Sequence, residues 1–318
     1  MRDLAIDTGI LHVPVMVQEV LAELQCQPGH IYVDGTVGLG GHAEAILLRS
    51  SPTGQVVGLD QDSAALQIAA LRLLPYGPRV YLIHSCYTQL AEILQQRRIE
   101  SVDGILLDLG ISTEQLKSSG RGFSFKGKEP LDMRMNPDVQ TTTAADLLNT
   151  EPEAQLSRMF WELGEERWAR RIARNIVRAR QQAPLITTNQ LVEVILRSLP
   201  PKTGMKRIHP ATRVFQALRI AVNQELEKIS AFIPQAIKVL APGGRLVIID
   251  YHSLEDRIVK RAFIEAERAG SVRRRYKKPL IPGEAEVASN PSARSAKMRT
   301  VEKLPASPDK NLKTGSRR

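Results

Sequence analysis

The sequence predicts a doubly wound α/β sheet, with a helical domain inserted between two of its strands. Two observations carry that prediction. Short, continuous apolar runs alternate with helix-like segments, as expected of parallel strands covered on both faces. The interval between the last two runs is also far too long for one crossover helix. The first run, IYVD (31–34), leads into the glycine-studded GTVGLGGH and the helical AEAILL. VVGLD (56–60) is followed by SAALQIAALRLL, and RVYLI (79–83) by TQLAEILQQRR. GILLD (104–108) ends the regular βαβαβαβ alternation, and the fifth run, RLVIID (245–250), comes only after APGG.

Residues 211–240 are apolar at helical spacing and serve as the crossover helix, with Pro234 expected to kink or divide it. Residues 115–208 then form the inserted helical domain, and residues 1–114 with 209–304 form the sheet domain. VRRRYK (272–277) and AKMRTVE (296–302) are expected to pair as edge strands. The polar residues 305–318 are expected to be a disordered basic tail. Within the insertion, Trp168, Ile172 and Ile176 recur every four residues, while Arg167, Arg171, Arg174 and Arg178 fall on another face. One side packs and the other is basic.

Across 318 residues the net charge is +10, which favours an anionic partner, nucleic acid above all. A merely solvated face is the alternative for the arginines, and the absence of interleaved acids favours an RNA- or DNA-facing role. Part of the excess charge lies at Arg273, Arg274, Arg275, Lys277 and Lys278. The only cysteines, Cys26 and Cys86, have no C-x-x-C spacing, so neither a disulfide framework nor a zinc knuckle is expected. The longest apolar runs fall short of a ~20-residue span, and MRDLAIDTGI has no signal-peptide core. A cytosolic protein without a resident metal is the expectation.

In a doubly wound sheet, ligands bind beyond the carboxyl ends of the strands. Four of the runs end in aspartate there: Asp34, Asp60, Asp108 and Asp250. Gly38, Gly40 and Ala43 fit the pattern G-x-G-x-x-G/A, and Asp60 stands where an acid that holds ribose hydroxyls is expected. That suits NAD or another adenosine cofactor. Asp34 separates the two, because a carboxylate opening the loop repels a pyrophosphate and attracts a cation. S-adenosyl-L-methionine has the adenosine, no phosphate, and a sulfonium and an ammonium.

After the fifth run, Asp250, Tyr251 and His252 are a candidate catalytic group, with Tyr251 to stack on an extruded base and His252 to relay a proton. The equal alternative is a helix entry capped by Ser253, with Glu255 and Asp256 in the first turn. One histidine among acids is too little for a metal site. RGFSFKGKEPLDMRMNP offers Arg121, Phe123, Phe125, Lys126 and Arg134 as cations and aromatic faces for RNA, or else its phenylalanines anchor the insertion.

VDGTVGLGGH, GILLDLGIS with Gln115 following, RGFSFKGKEPLDMRMNP, GEERWARRIARNIVRAR, HPATRVFQALRIAVNQEL, GGRLVIIDYHSLEDRIVK and NPSARSAKMR together resemble the bacterial ribosomal RNA small-subunit methyltransferase H family. The resemblance covers about residues 12–302. It implies a Rossmann-like class I methyltransferase fold. It further implies methyl transfer from S-adenosyl-L-methionine to the exocyclic N4 of a cytidine in the decoding region of 16S ribosomal RNA, with the assembled subunit as the expected substrate form. Cofactor contacts are implied at Gly40, Gly41, His42, Asp60, Asp108 and Gln115. Tyr87 stands where the family commonly has phenylalanine near the adenine. The insertion corresponds to the family's substrate-recognition domain. Asp108 is also a catalytic candidate by position, although Asp108-Leu109-Gly110-Ile111 lacks the prolines of the (Asp/Asn/Ser)-Pro-Pro-aromatic turn used by unrelated amino-methylating enzymes. An NAD-dependent oxidoreductase and a non-catalytic ribosome-assembly factor are the other functions weighed.

Overall fold

The computed structural model describes residues 14–111, 116, 119–200 and 209–305. The chain forms two compact units, one of Met1–Gly110 with Ile229–Arg318 and the other of Ile111–Lys228.

The first unit is built on a seven-stranded sheet: β1 (Ile31–Asp34), β2 (Gln55–Asp60), β3 (Val80–His84), β4 (Val102–Asp108), β5 (Leu240–Asp250), β6 (Val272–Arg274) and β7 (Lys297–Lys303). Their order is β3-β2-β1-β4-β5-β7-β6. The first five strands are parallel, while β7 runs antiparallel to both β5 and β6. The apolar runs are continuous because alternate residues serve two cores. Val33, Val57, Leu59, Ile105 and Leu107 face one cluster, with Phe232 and Phe263 packed over them. Tyr32, Val56 and Leu106 face the other, with Leu24, Ile46 and Leu47.

Three expectations are corrected in this unit. β5 begins at Leu240, not Arg245, because Leu240 pairs with Val102 before the register shifts by Gly104. β7 is not an edge strand, since it lies between β5 and β6. The arginines in and just after β6 are largely committed within the fold: Arg273 pairs with Glu302 at 2.8 Å, Arg274 with Glu267 at 2.6 Å, and Arg275 with Glu302 at 3.5 Å. They are not a free basic patch.

The second unit is helical: Ala144–Thr150, Glu153–Glu162, Ala169–Arg180, Thr188–Arg197 and Thr212–Asn223. Thr143 with Asp146 and Thr187 with Gln190 form capping boxes that start two of these helices. Leu148, Leu156, Phe160, Ile172, Ile176, Leu191 and Ile195 fill its core. Val214, Phe215 and Leu218 join that core, which is why the unit runs to Lys228 and not to residue 208. The long segment over 211–240 is two helices, broken at Gln224, whose φ of 51° is left-handed. Pro234 does not divide the second, Glu225–Val239, which runs through it, with Phe232, Ile233 and Ile237 packed in the core on both sides. Residues 306–318, where the tail is expected, lie outside the described residues.

No helix among the described residues is long and apolar enough to cross a membrane.

Candidate active site

β1 ends in Asp34 at the point where the chain turns to opposite sides of the sheet, β2 on one side and β4 on the other. That divergence leaves the crevice in which ligands of such sheets bind. The loop after β1 is pinned on both sides: Gly35 N–H donates to Leu106 O at 2.9 Å and Val37 N–H to Leu59 O at 2.8 Å. Gly40, with φ 82°, caps the helix Gly41–Arg49 in a backbone conformation that favours glycine. A Cβ on Gly41 would lie 2.9 Å from the Pro14 ring, so the helix start is closely covered. His42 is buried in the first turn.

Asp60, at the end of β2, holds the loop from the other side. Its Oδ2 accepts from Gly38 N–H at 2.8 Å and its Oδ1 from Asp62 N–H at 2.9 Å. Burial raises its pKa to about 6, against the pull of those hydrogen bonds. Asp34 is more extreme. Thr36 N–H donates to its Oδ1 at 3.2 Å, while Oδ2 has no partner among the described residues. Burial, with the nearby Asp108 and Asp60 charges adding to it, raises its pKa to about 7 against the pull of His42 and the Thr36 hydrogen bond. What Asp34 lacks is a positive charge.

Asp108, at the end of β4, is the best-oriented carboxylate of the group. Its backbone N–H donates to Thr36 Oγ1 at 2.8 Å, and the Tyr251 hydroxyl donates to its Oδ1 at 2.9 Å. Its Oδ2 lies 3.5 Å from His42 Nε2. Burial and the Asp108 charge hold the Tyr251 pKa well above its ordinary value, so the phenol stays a donor. Gly110, at φ 104°, makes room for that ring, since a Cβ there would lie 3.3 Å from Tyr251 Cδ2. Tyr251 therefore orients Asp108 and is not a free stacking face. Neither Thr36 nor Gly110 carries a sequence signal of its own; their roles appear only once β4 and the residue after β5 are juxtaposed.

Asp250 and His252 take other parts. Asp250 is fully buried, with neither carboxyl oxygen hydrogen-bonded among the described residues. Burial and the Asp256 and Glu255 charges push its pKa up to about 8, against Lys297 and Arg299, so at neutral pH it is a protonated acid and a poor base. His252 is the N-cap of the helix Ser253–Arg268, its Nδ1 accepting from Glu255 N–H at 3.4 Å. Its Nε2 is 3.2 Å from the buried Glu255 carboxylate. The helix-entry alternative is the observed one, except that His252 caps and Ser253 is the first helical residue.

Tyr87 is buried with its ring edge-on to Phe232 at 5.2 Å. Gln115 lies outside the described residues.

In the helical unit, four of the loop residues expected to meet RNA, Arg121, Phe123, Phe125 and Arg134, have internal partners, while Lys126 is exposed. Arg121 donates to the carbonyls of Arg134 and Met135 and lies 5.5 Å from the centre of the buried Phe123 ring. Arg134 grips Asp132 through two 2.7 Å hydrogen bonds. Phe125 stacks on His209 at 4.5 Å. Irregular segments with many polar groups need such internal partners to stay ordered, and these residues supply them. Arg167, Arg171, Arg174 and Arg178 are exposed as expected. Among the described residues, Arg174 alone of these has an ion pair, at 3.8 Å to Glu153.

The fold and this site define a Rossmann-like α/β protein with Asp34, Asp60 and Asp108 at the carboxyl ends of neighbouring parallel strands, beside a glycine loop. The chain belongs to the MraW methylase family, whose sequence profile matches residues 9–304. It is 46% identical over 309 residues to the ribosomal RNA small subunit methyltransferase H of Geotalea uraniireducens, covering 92% of this chain and 98% of that protein. To the protein of that name from Heliobacterium modesticaldum it is 44% identical over 309 residues, covering 92% and 98%. An rRNA methylase structure from Streptococcus thermophilus matches at TM-score 0.43 and 13% identity, covering 91% of this chain and 95% of that one.

Proposed function

We propose that this chain transfers the methyl group of S-adenosyl-L-methionine to the exocyclic N4 of a cytidine in the decoding region of 16S ribosomal RNA, within the assembled small subunit. The observation that carries the choice of donor is the buried, half-partnered Asp34 beside the glycine loop. A cationic donor answers its missing charge, whereas the phosphates of NAD would meet three carboxylates. The relatives' names and the family resemblance support ribosomal RNA as the substrate, and a modification site built by RNA folding favours the assembled subunit.

The donor supplies an electrophilic methyl carbon, whose bond to sulfur breaks as the amine attacks. The residues of the chain do the rest. Gly38, Gly40 and Gly41 let the backbone approach the donor, and Asp60 accepts from the ribose hydroxyls. The cytosine N4 lone pair is delocalised into the ring, so the amine needs an acceptor that turns its hydrogens and frees the lone pair. Asp108, fixed by Tyr251 and Thr36, is that acceptor and receives the proton released on methylation. His42, 3.5 Å from Asp108, bounds the acidic region as a positioning group, and Tyr87 contributes to the wall near the adenine.

Nucleosides from small subunits of a deletion strain, incubated with the protein and isotope-labelled donor, are expected to contain labelled N4-methylated cytidine by mass spectrometry. Subunits that bind the protein and gain no label would instead mark it as a non-catalytic assembly factor.

Donor affinity is also expected to depend on pH. Free Asp34 takes up a proton as the pH falls through about 7, and a cationic ligand binds the ionised form. Affinity should be flat above pH ~8 and fall by up to about tenfold per unit below ~7, where Asp60 adds to the loss nearer its own value of about 6. Calorimetry over that range, with Asp34→Asn expected to lose most of the slope, measures it. An unchanged Kd from pH 6 to 8 would remove Asp34 from the donor site.

A further inference from the structure

We propose that the helical unit carries a groove that clamps single-stranded RNA, with one base stacked on Trp161 and the flanking phosphates held by Arg167, Arg170 and Arg171. The groove has a volume of about 910 Å³ and is lined by the helices Glu153–Glu162 and Ala169–Arg180 with the turn between them. The inference rests on reading this unit as RNA-facing, and deepens it by naming the place and the form of RNA.

Trp161 leaves 61% of its surface exposed, whereas Phe123, Phe160 and Phe215 of the same unit are buried. Trp168 also lines the groove, and its indole N–H is buried without an acceptor among the described residues. Five arginines line the groove against one acid, Glu153, which Arg174 meets at 3.8 Å. Arg158 pairs with Glu162 at 3.0 Å. Arg167, Arg170 and Arg171 are exposed and have no ion pair among the described residues. Exposed indole beside uncommitted guanidinium groups is the pairing that binds unpaired nucleotides: the ring takes a base face and the forks take phosphates. A duplex hides its base faces, so single strands are the favoured form. An acidic peptide would satisfy the arginines but leave the indole without a planar partner.

Trp161 and Trp168 are the only tryptophans in the chain, so intrinsic fluorescence reports on this groove alone. The test titrates the full-length protein, without methyl donor, with a short uridine oligomer, and in parallel with polyglutamate of matched charge. The oligomer is expected to quench the emission, and polyglutamate to leave it nearly unchanged. Trp161→Leu should lose most of the quenching and bind labelled oligomer about tenfold more weakly by anisotropy. Arg170→Glu should weaken binding by a similar factor and flatten its salt dependence, giving a second reading if the tryptophan variant unfolds by circular dichroism. Equal quenching by polyglutamate would assign the groove to an acidic protein. Unaltered oligomer binding by both variants, or no quenching at all, would overturn the proposal. The oligomer contains no cytidine, so these outcomes are separate from the fate of the N4 reading: a wild-type protein that clamps the oligomer but leaves subunits unlabelled keeps the groove and loses the reaction.

Discussion

Asp60→Ala is expected to weaken S-adenosyl-L-methionine binding by roughly 10²–10³-fold in calorimetry. The carboxylate does two jobs at once. It accepts from Gly38 N–H and Asp62 N–H at 2.8 and 2.9 Å, which holds the glycine loop in place, and in the proposed role it offers its remaining lone pairs to the ribose. Hydrogen bonds to a charged group contribute about 1.5–3 kcal/mol each, and every ~1.4 kcal/mol is tenfold in affinity. Losing one ligand bond accounts for about ten- to a hundredfold, and the loop loosened by loss of both backbone bonds for the remainder. Asp60→Asn keeps the size but must turn its NH₂ toward one of the two donors, so about a tenfold loss is expected from it. Donor affinity within threefold of wild type in the alanine variant would mean that the loop is shaped by its ties to Leu59 and Leu106 alone.

Asp108→Ala should lower the single-turnover rate of methyl transfer by about 10²–10³, in line with the usual reach of a positioned acid–base group. Two proposed roles converge on this residue, acceptor for the amine and contact for the donor, and the experiment separates them. A fall in rate at saturating donor assigns the acceptor role. A weakened donor Kd with an unchanged rate assigns only the contact. Tyr251→Phe tests the geometry directly, because it deletes the 2.9 Å hydrogen bond to Asp108 Oδ1 and retains the ring packed by Gly110. It is expected to cost about tenfold in rate, with donor affinity largely kept.

The strands were legible in the sequence because both faces of the sheet are buried. Val33 and Tyr32 belong to different cores, so the run around them is apolar without interruption. The strand-end acids were legible for a related reason: once the strands are parallel, Asp34, Asp60 and Asp108 must lie at one edge. The limits of this reasoning are equally physical. The helix break at Gln224 depends on a left-handed residue that composition does not mark, whereas Pro234, which composition does mark, is tolerated where Phe232 and Ile237 pack on the core. Arg121 and Arg134 look like RNA ligands by type, but an irregular loop needs internal donors, and their carbonyl and carboxylate partners lie in sequence positions with no regular spacing. Arg273, Arg274 and Arg275 look free for the same reason. Their acids, Glu302 and Glu267, are brought to them only by strand pairing and the preceding helix.

The placement of β7 has a consequence for how the protein comes into being. β5, with its apolar Leu246, Val247, Ile248 and Ile249, is flanked by β4 on one side and by β7 on the other. During synthesis β4 is made long before β5, but the other neighbour, Lys297–Lys303, emerges some fifty residues after it. Until then β5 presents an open edge, the kind of surface on which unfinished chains adhere to one another. The sheet that carries the strand-end acids is therefore completed only once β7 has been made, and a chain that stops short of residue 297 would lack the partner for that edge.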